Sequence, residues 1–286
     1  MHSNNPVFNR AEGFNGRGAQ AAVRSSDPSQ WKIDVDGSAQ SGPTHTTTGR
    51  GGLMTLESVV EKTAITLSLV VAAAAATWFL IGDLGDPSTG DAAYGRAFTF
   101  AMGGAIIGLV LSLVNSFKKV VSPPLVMAYA VVEGAFVGAF SKIIAAYVGE
   151  PSIVFQAVLA TMVAFGGTLA AYKFFDIQVT DRFRKVMTIA IFSFVGVMLV
   201  NFVLSLTGVL ESGGLRGFNT LGLVVSAIAV VLAVFMLIMD FDFVERGVEA
   251  GLPERESWRA AFGLTVTLIW LYIEILRILA ILRGDD

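Results

Sequence analysis

The chain has 286 residues, 54% of them hydrophobic and only 15% charged, with no cysteine and a formal net charge of −3. An average soluble domain carries roughly 25% charged residues, so this is the composition of a membrane protein. The missing cysteines exclude disulfides, thiolate nucleophiles, zinc–cysteine centres and iron–sulfur clusters, and the small net charge provides no field that would draw nucleic acid.

Residues 1–55 differ from the rest. They are rich in Ser, Thr, Asn, Gly and Gln, as in "SAQSGPTHTTTGRGG", and hold too little apolar surface for a core, so a disordered polar tail is expected. No short apolar core of a signal peptide occurs in it, and the first spanning helix is expected to insert and stay. Both histidines, His2 and His45, lie in this tail, which leaves none for a proton relay inside the membrane.

Seven apolar stretches follow, each long enough to cross a hydrocarbon layer of about 30 Å as a helix. They run from Thr63 to Ile81, Ala97 to Val114, Leu125 to Val148, Ile153 to Phe174, Val186 to Leu206, Leu221 to Asp240, and Ala260 to Leu282. Runs this long without alternation predict helices rather than a β-barrel, because each spanning segment must satisfy its own backbone. The expected fold is an all-α integral membrane protein, with a seven-helix domain over 56–286.

Local signals agree with this parsing. Ser122 before Pro123 and Pro124 predicts a cap and first turn for the third helix, and Gly213, Gly214 and Gly217 predict a link before the sixth. Gly104 and Gly108, Gly134 and Gly138, and the run Ala72 to Ala76 are small residues at spacings that permit close helix contact. Nine Lys and Arg residues flank the tail-side helix ends, from Lys118 to Arg259, against Arg96, Arg216 and Arg283 on the other side. That bias predicts a cytoplasmic N-terminus and an outside C-terminus.

Ionisable residues inside such helices are costly, about 2.5–3.5 kcal/mol on insertion scales, and by default mark function. Four stand out: Glu133 in the third helix, Asp240 at the end of the sixth, and Glu274 and Arg277 in the seventh. Asp240 also reads as a solvated helix end, with Asp242 and Glu245 just beyond it. Glu274 and Arg277 share a helix face and also read as a structural ion pair. Lys142 is expected to snorkel to the interface. Two carboxyls brought together in a low-dielectric site share a proton or a hard cation such as Ca²⁺, so the embedded acids suggest a proton- or calcium-sensitive conduit.

Three segments carry a resemblance. "SPPLVMAYAVVEGAFVGA", "MDFDFVERG" and "LYIEILRIL" resemble, in order, parts of helices 3, 6 and 7 of the Bax-inhibitor (transmembrane Bax-inhibitor motif) family, over about 56–283, and "NPVFNR" is similar to the start of actinobacterial members. The resemblance implies a central helix 7 ringed by the other six. For bacterial members it implies a pH-sensitive calcium leak in the cytoplasmic membrane, gated by an acid pair between helices 6 and 7. Carried over, that pair is Asp240 and Glu274, the candidate calcium ligands; Glu133 and Arg277, the other embedded charges, are expected in the ion pathway.

No cofactor is expected besides a possible calcium ion, and the partners are lipid, calcium and protons. The second expectation is a non-conducting regulatory membrane protein that binds other membrane proteins or a quality-control protease through its tail and through a long charged loop from Phe243 to Trp258. An enzyme is not expected. The Gly-x-Gly-Asp stretch of intramembrane aspartyl proteases and the Gly-x-Ser-Gly of serine ones are absent, and the last helix has no lysine for a retinal Schiff base.

Overall fold

The computed structural model describes residues 52–284, and the expected tail otherwise lies outside them. Seven helices account for almost all of this span: α1 Leu56–Ile81, α2 Gly90–Phe117, α3 Pro123–Val148, α4 Ser152–Phe174, α5 Asp181–Leu206, α6 Thr220–Glu249 and α7 Glu256–Gly284. All seven are long and apolar enough to cross a membrane. A 3₁₀ helix, Glu211–Arg216, lies in the α5–α6 link where only a glycine-rich turn was expected.

The helices outrun their apolar cores, and the extensions follow local chemistry. Thr55 and Ser58 form a capping box that starts α1 seven residues before the apolar run. Prolines occupy the first turn of α3, although the Ser122 hydroxyl makes no capping bond. The largest extension is in α6, which continues to Glu249. Asp242 and Arg246 pair at i, i+4, and Arg246 sits favourably near the negative end of the helix dipole. The charged segment from Phe243 to Trp258 is therefore mostly helix, with a link of only residues 250–255, and Asp240 stands inside α6 rather than at its end.

The small residues set the packing. A Cβ on Gly134 would stand 2.5 Å from the Val70 carbonyl oxygen and 2.8 Å from Ala73 Cβ, and one on Gly138 would reach the Ala74 backbone. These glycines let α3 lie directly on the alanine-rich face of α1. Gly104 plays the same part for α2, where a Cβ would stand 2.8 Å from Phe136 Cβ on α3.

Helix α7 is the centre. Of its apolar stretch 67% is buried, against at most 39% in any other helix, and it packs against α1, α3, α4 and α6. It runs parallel to α1, as the hydroxyl pairs Ser58–Ser257 at 2.6 Å and Thr66–Thr265 at 2.8 Å show. It runs antiparallel to α6. In contrast, α5 is only 6% buried over its apolar stretch, and Val186, Ile189 and Phe192 project outward. A large exposed apolar surface of this kind is a liability in water and the ordinary contact surface in lipid.

Residues Gly52–Met54 also belong to the folded body. They pair with the α6–α7 link through an antiparallel bridge between Leu53 and Pro253, and Met54 is 2% exposed. The end of the bundle that they cross is called the N-terminal end below. The opposite, far end carries the α5–α6 link and Gly284.

Candidate functional site: two charged sites along helix α7

Asp240 faces α7. Its Oδ2 accepts a hydrogen bond from Thr267 Oγ1 at 2.6 Å, and its carboxylate lies over Gly263, where a Cβ would come within 3.4 Å of Oδ1. On its other side Asp240 lines an open cavity of about 370 Å³ at the N-terminal end, together with Arg184, Asp242, Arg246, Met236 and Met239. Asp242, two residues on, is buried and occupied. Its Oδ2 accepts from Arg184 of α5 at 2.7 Å and its Oδ1 from Arg246 at 2.9 Å, and Arg246 also donates to the Val179 carbonyl at 2.8 Å. Asp242 thus ties α5 to α6, while Asp240 has a single hydroxyl partner.

Glu274 lies toward the far end and is 2% exposed. Its partner comes from outside the spanning helices, because Arg216, at the end of the 3₁₀ helix, donates from Nη1 to Glu274 Oε1 at 2.5 Å. Arg277 Nε stands 3.9 Å from Oε2, which accepts no hydrogen bond. The Arg277 guanidinium instead donates to the Arg216 carbonyl at 2.6 Å, contacts Ser226 of α6 at 3.4 Å, and lies 5.1 Å above the centre of the Phe218 ring. Two arginines around one carboxylate leave this cluster with a formal excess of one positive charge.

Gly263, Thr267, Glu274 and Arg277 are spaced by four, seven and three residues, which places them on one face of α7, the face turned to α6. Asp240 and Glu274 belong to separate stations on that face. Thr267 and Glu274 are seven residues apart, or about 10 Å along the axis. Between these levels Leu237 and Leu271 are fully buried and belong to one apolar cluster. Among the described residues no hydrogen bond or ion pair joins Asp240 to Glu274, and no group of three or more acids or histidines converges as a metal site.

Glu133 is half-buried between α3 and α2 and faces Gly108, where a Cβ would collide with its Oε2. Among the described residues no hydrogen bond or ion pair joins it to Asp240 or Glu274. Lys142 is half-buried and reaches the end of α1, where its Nζ donates to the Trp78 carbonyl at 2.6 Å and lies 5.1 Å from the Trp78 ring centre.

The residues that sequence reasoning missed are Thr267, Arg184 and Arg216. Thr267 carried a usable signal, since it lies two turns before Glu274 on the same face. Arg216 did not, because a loop arginine after glycines reads as a surface charge.

The family described as "Bax inhibitor 1 like" matches the chain over residues 5–284. No curated protein matches it.

Proposed function

The chain belongs to the Bax inhibitor 1 like family, and on that premise we propose that it is a proton-sensitive, calcium-permeable leak in the membrane it spans, and not an enzyme. The observation that carries this reading is the polar face of α7. It begins at an open cavity at Asp240 and ends at Glu274, with two leucines packed between the stations.

Asp240 takes up a proton or a calcium ion from the cavity, exchanging the Thr267 hydroxyl for it. Glu274 is the second carboxylate station, and the Arg216 and Arg277 guanidiniums hold it closed to cations. Conduction requires Leu237 and Leu271 to part and Arg216 to withdraw. The bias of basic residues toward the N-terminal end supports a cytoplasmic N-terminus, and a bacterial cytoplasmic membrane is the proposed location.

The test is calcium uptake into liposomes bearing the purified protein at about pH 6 and about pH 8, for wild type, Asp240→Asn and Glu274→Gln. Uptake that depends on protein and pH, and that changes in both variants, supports the leak. Uptake with an unchanged pH response in both variants sinks the role of the acids.

The Arg216–Glu274 ion pair favours a second reading, in which the cluster is a static strut of a regulatory membrane protein that binds other membrane proteins. No uptake by folded wild-type protein at either pH selects it.

A further inference from the structure

Gly52, Leu53 and Met54 cross the N-terminal end of the bundle as a strap. The Met54 N–H donates to the Leu252 carbonyl at 2.7 Å, and the Glu254 N–H donates to the Gly52 carbonyl at 2.7 Å. The side chains alternate as an extended strand requires: Leu53 is 66% exposed, whereas Met54 is buried among Val59, Leu237, Phe241 and Val244. The ion pair from Lys62 to Glu254 at 2.7 Å fastens the same link to α1.

The position of Met54 gives the strap a task. A Cβ on Gly247 would stand 2.9 Å from Met54 Sδ and 3.5 Å from Leu252 Cδ1, so Met54 fills the space that the missing side chain leaves. Gly247 and Leu252 are themselves wall residues of the cavity that reaches Asp240. Met54 also shares its cluster with Leu237 and Phe241, which flank Asp240 on α6.

We infer that Gly52–Met54 is a latch on this cavity: seated, it braces the Gly247 and Leu252 wall and restricts access to Asp240, and lifted, it frees the last turns of α6. Two backbone hydrogen bonds and one buried side chain hold the strap, a small fraction of the bundle's contacts, so the latch lifts without unfolding the bundle. The inference rests on the leak reading only for its effect on flux.

The chain has no cysteine, so introduced thiols are unique. Leu53 and Pro253 are exposed and directly paired. Residues opposed in an antiparallel bridge have Cα atoms about 4.5–5.5 Å apart, within the disulfide range. In the full chain, Leu53→Cys with Pro253→Cys therefore locks the strap on oxidation. Calcium uptake into liposomes is compared for the oxidised and reduced forms. Separately, Met239→Cys, inside the cavity, is modified with a water-soluble maleimide in three backgrounds: Met54, Met54→Ala and Met54→Leu.

The latch requires several-fold lower uptake when the strap is locked. It also requires several-fold faster modification with Met54→Ala and a return to the slow rate with Met54→Leu, which keeps the buried volume. Equal modification rates with Met54 and Met54→Ala overturn the latch. So does a wild-type leak that the disulfide leaves unchanged. Faster modification with no leak in any protein retains the latch and sinks the leak reading alone.

Discussion

Arg216 and Glu274 form an ion pair of 2.5 Å between the short helix of the α5–α6 link and the most buried helix of the bundle. Glu274 is 2% exposed and Arg216 about a quarter exposed, so the pair is asymmetric. Removing the carboxylate leaves Arg216, which can turn to water, and Arg277, which is 5% exposed and keeps no counter-charge, whereas removing Arg216 leaves the buried carboxylate with Arg277 3.9 Å away. Breaking a fully buried pair costs about 3–5 kcal/mol, and partial exposure of Arg216 reduces that to roughly 1–3 kcal/mol for Arg216→Gln. Glu274→Gln is expected to cost at least as much, because it leaves the buried Arg277 without a counter-charge. Thermal unfolding in one detergent checks the order, and a double-mutant cycle over both positions is expected to show coupling. Equal costs with no coupling would make the contact incidental.

Asp240 and Asp242 are expected to separate function from stability. From sequence, Asp242 reads only as a charge just beyond Asp240. The structure gives Asp242 two arginine partners, one on α5, and α5 has few other ties to the bundle. An amide at 242 keeps one acceptor and loses the charge, so a loss of about 1–3 kcal/mol is expected, with earlier proteolysis of the Val179 region. Asp240→Asn keeps an oxygen for the Thr267 hydroxyl and is expected to unfold close to wild type while altering calcium uptake. The reverse pattern, with Asp240→Asn unstable and Asp242→Asn altered in uptake, assigns the cavity chemistry to Asp242.

The seven helices were readable because membrane insertion demands long uninterrupted apolar runs, and nothing else in the chain mimics them. Their ends were not, since the last nine residues of α6 and the first seven of α1 are held by capping hydroxyls, i, i+4 charges and tertiary partners that hydropathy does not register. Asp240 and Glu274 were visible as charges out of place. Their separation was not, because helical register fixes a face but the antiparallel offset of α6 against α7 depends on how Leu237 meets Leu271. Arg216 and Met54 were hidden for a common reason. Each sits in a polar, glycine-rich segment, and its burial comes from a distant helix.

Close helix contact makes a third prediction. Gly138→Ala would press a methyl into the α1 backbone at Ala74, and both elements are helices that cannot yield locally. Overpacking of this kind costs roughly 1–3 kcal/mol. Gly166 and Gly167 on α4 have nothing within 4 Å of an added Cβ, so alanine there is expected to be neutral or slightly stabilising. Unfolding temperatures of the three variants decide it, and similar values for all would mean that α1 and α3 are not in close contact.

The link between α6 and α7 supplies a prediction about pH. The Lys62 ammonium, first through its hydrogen bond and then through its charge, holds the Glu254 carboxyl below its usual value. A carboxyl with a depressed folded value adds stability that is fully present above its unfolded value of about 4.3 and is lost as pH falls through the folded one. The pair is therefore intact from about pH 6 to about pH 8, the window in which uptake is to be compared. Glu254→Gln is expected to weaken the strap at every pH in that window and to leave the pH midpoint of uptake where it is. A midpoint that moves in Glu254→Gln and stays fixed in Asp240→Asn would transfer the pH response from the cavity to the link.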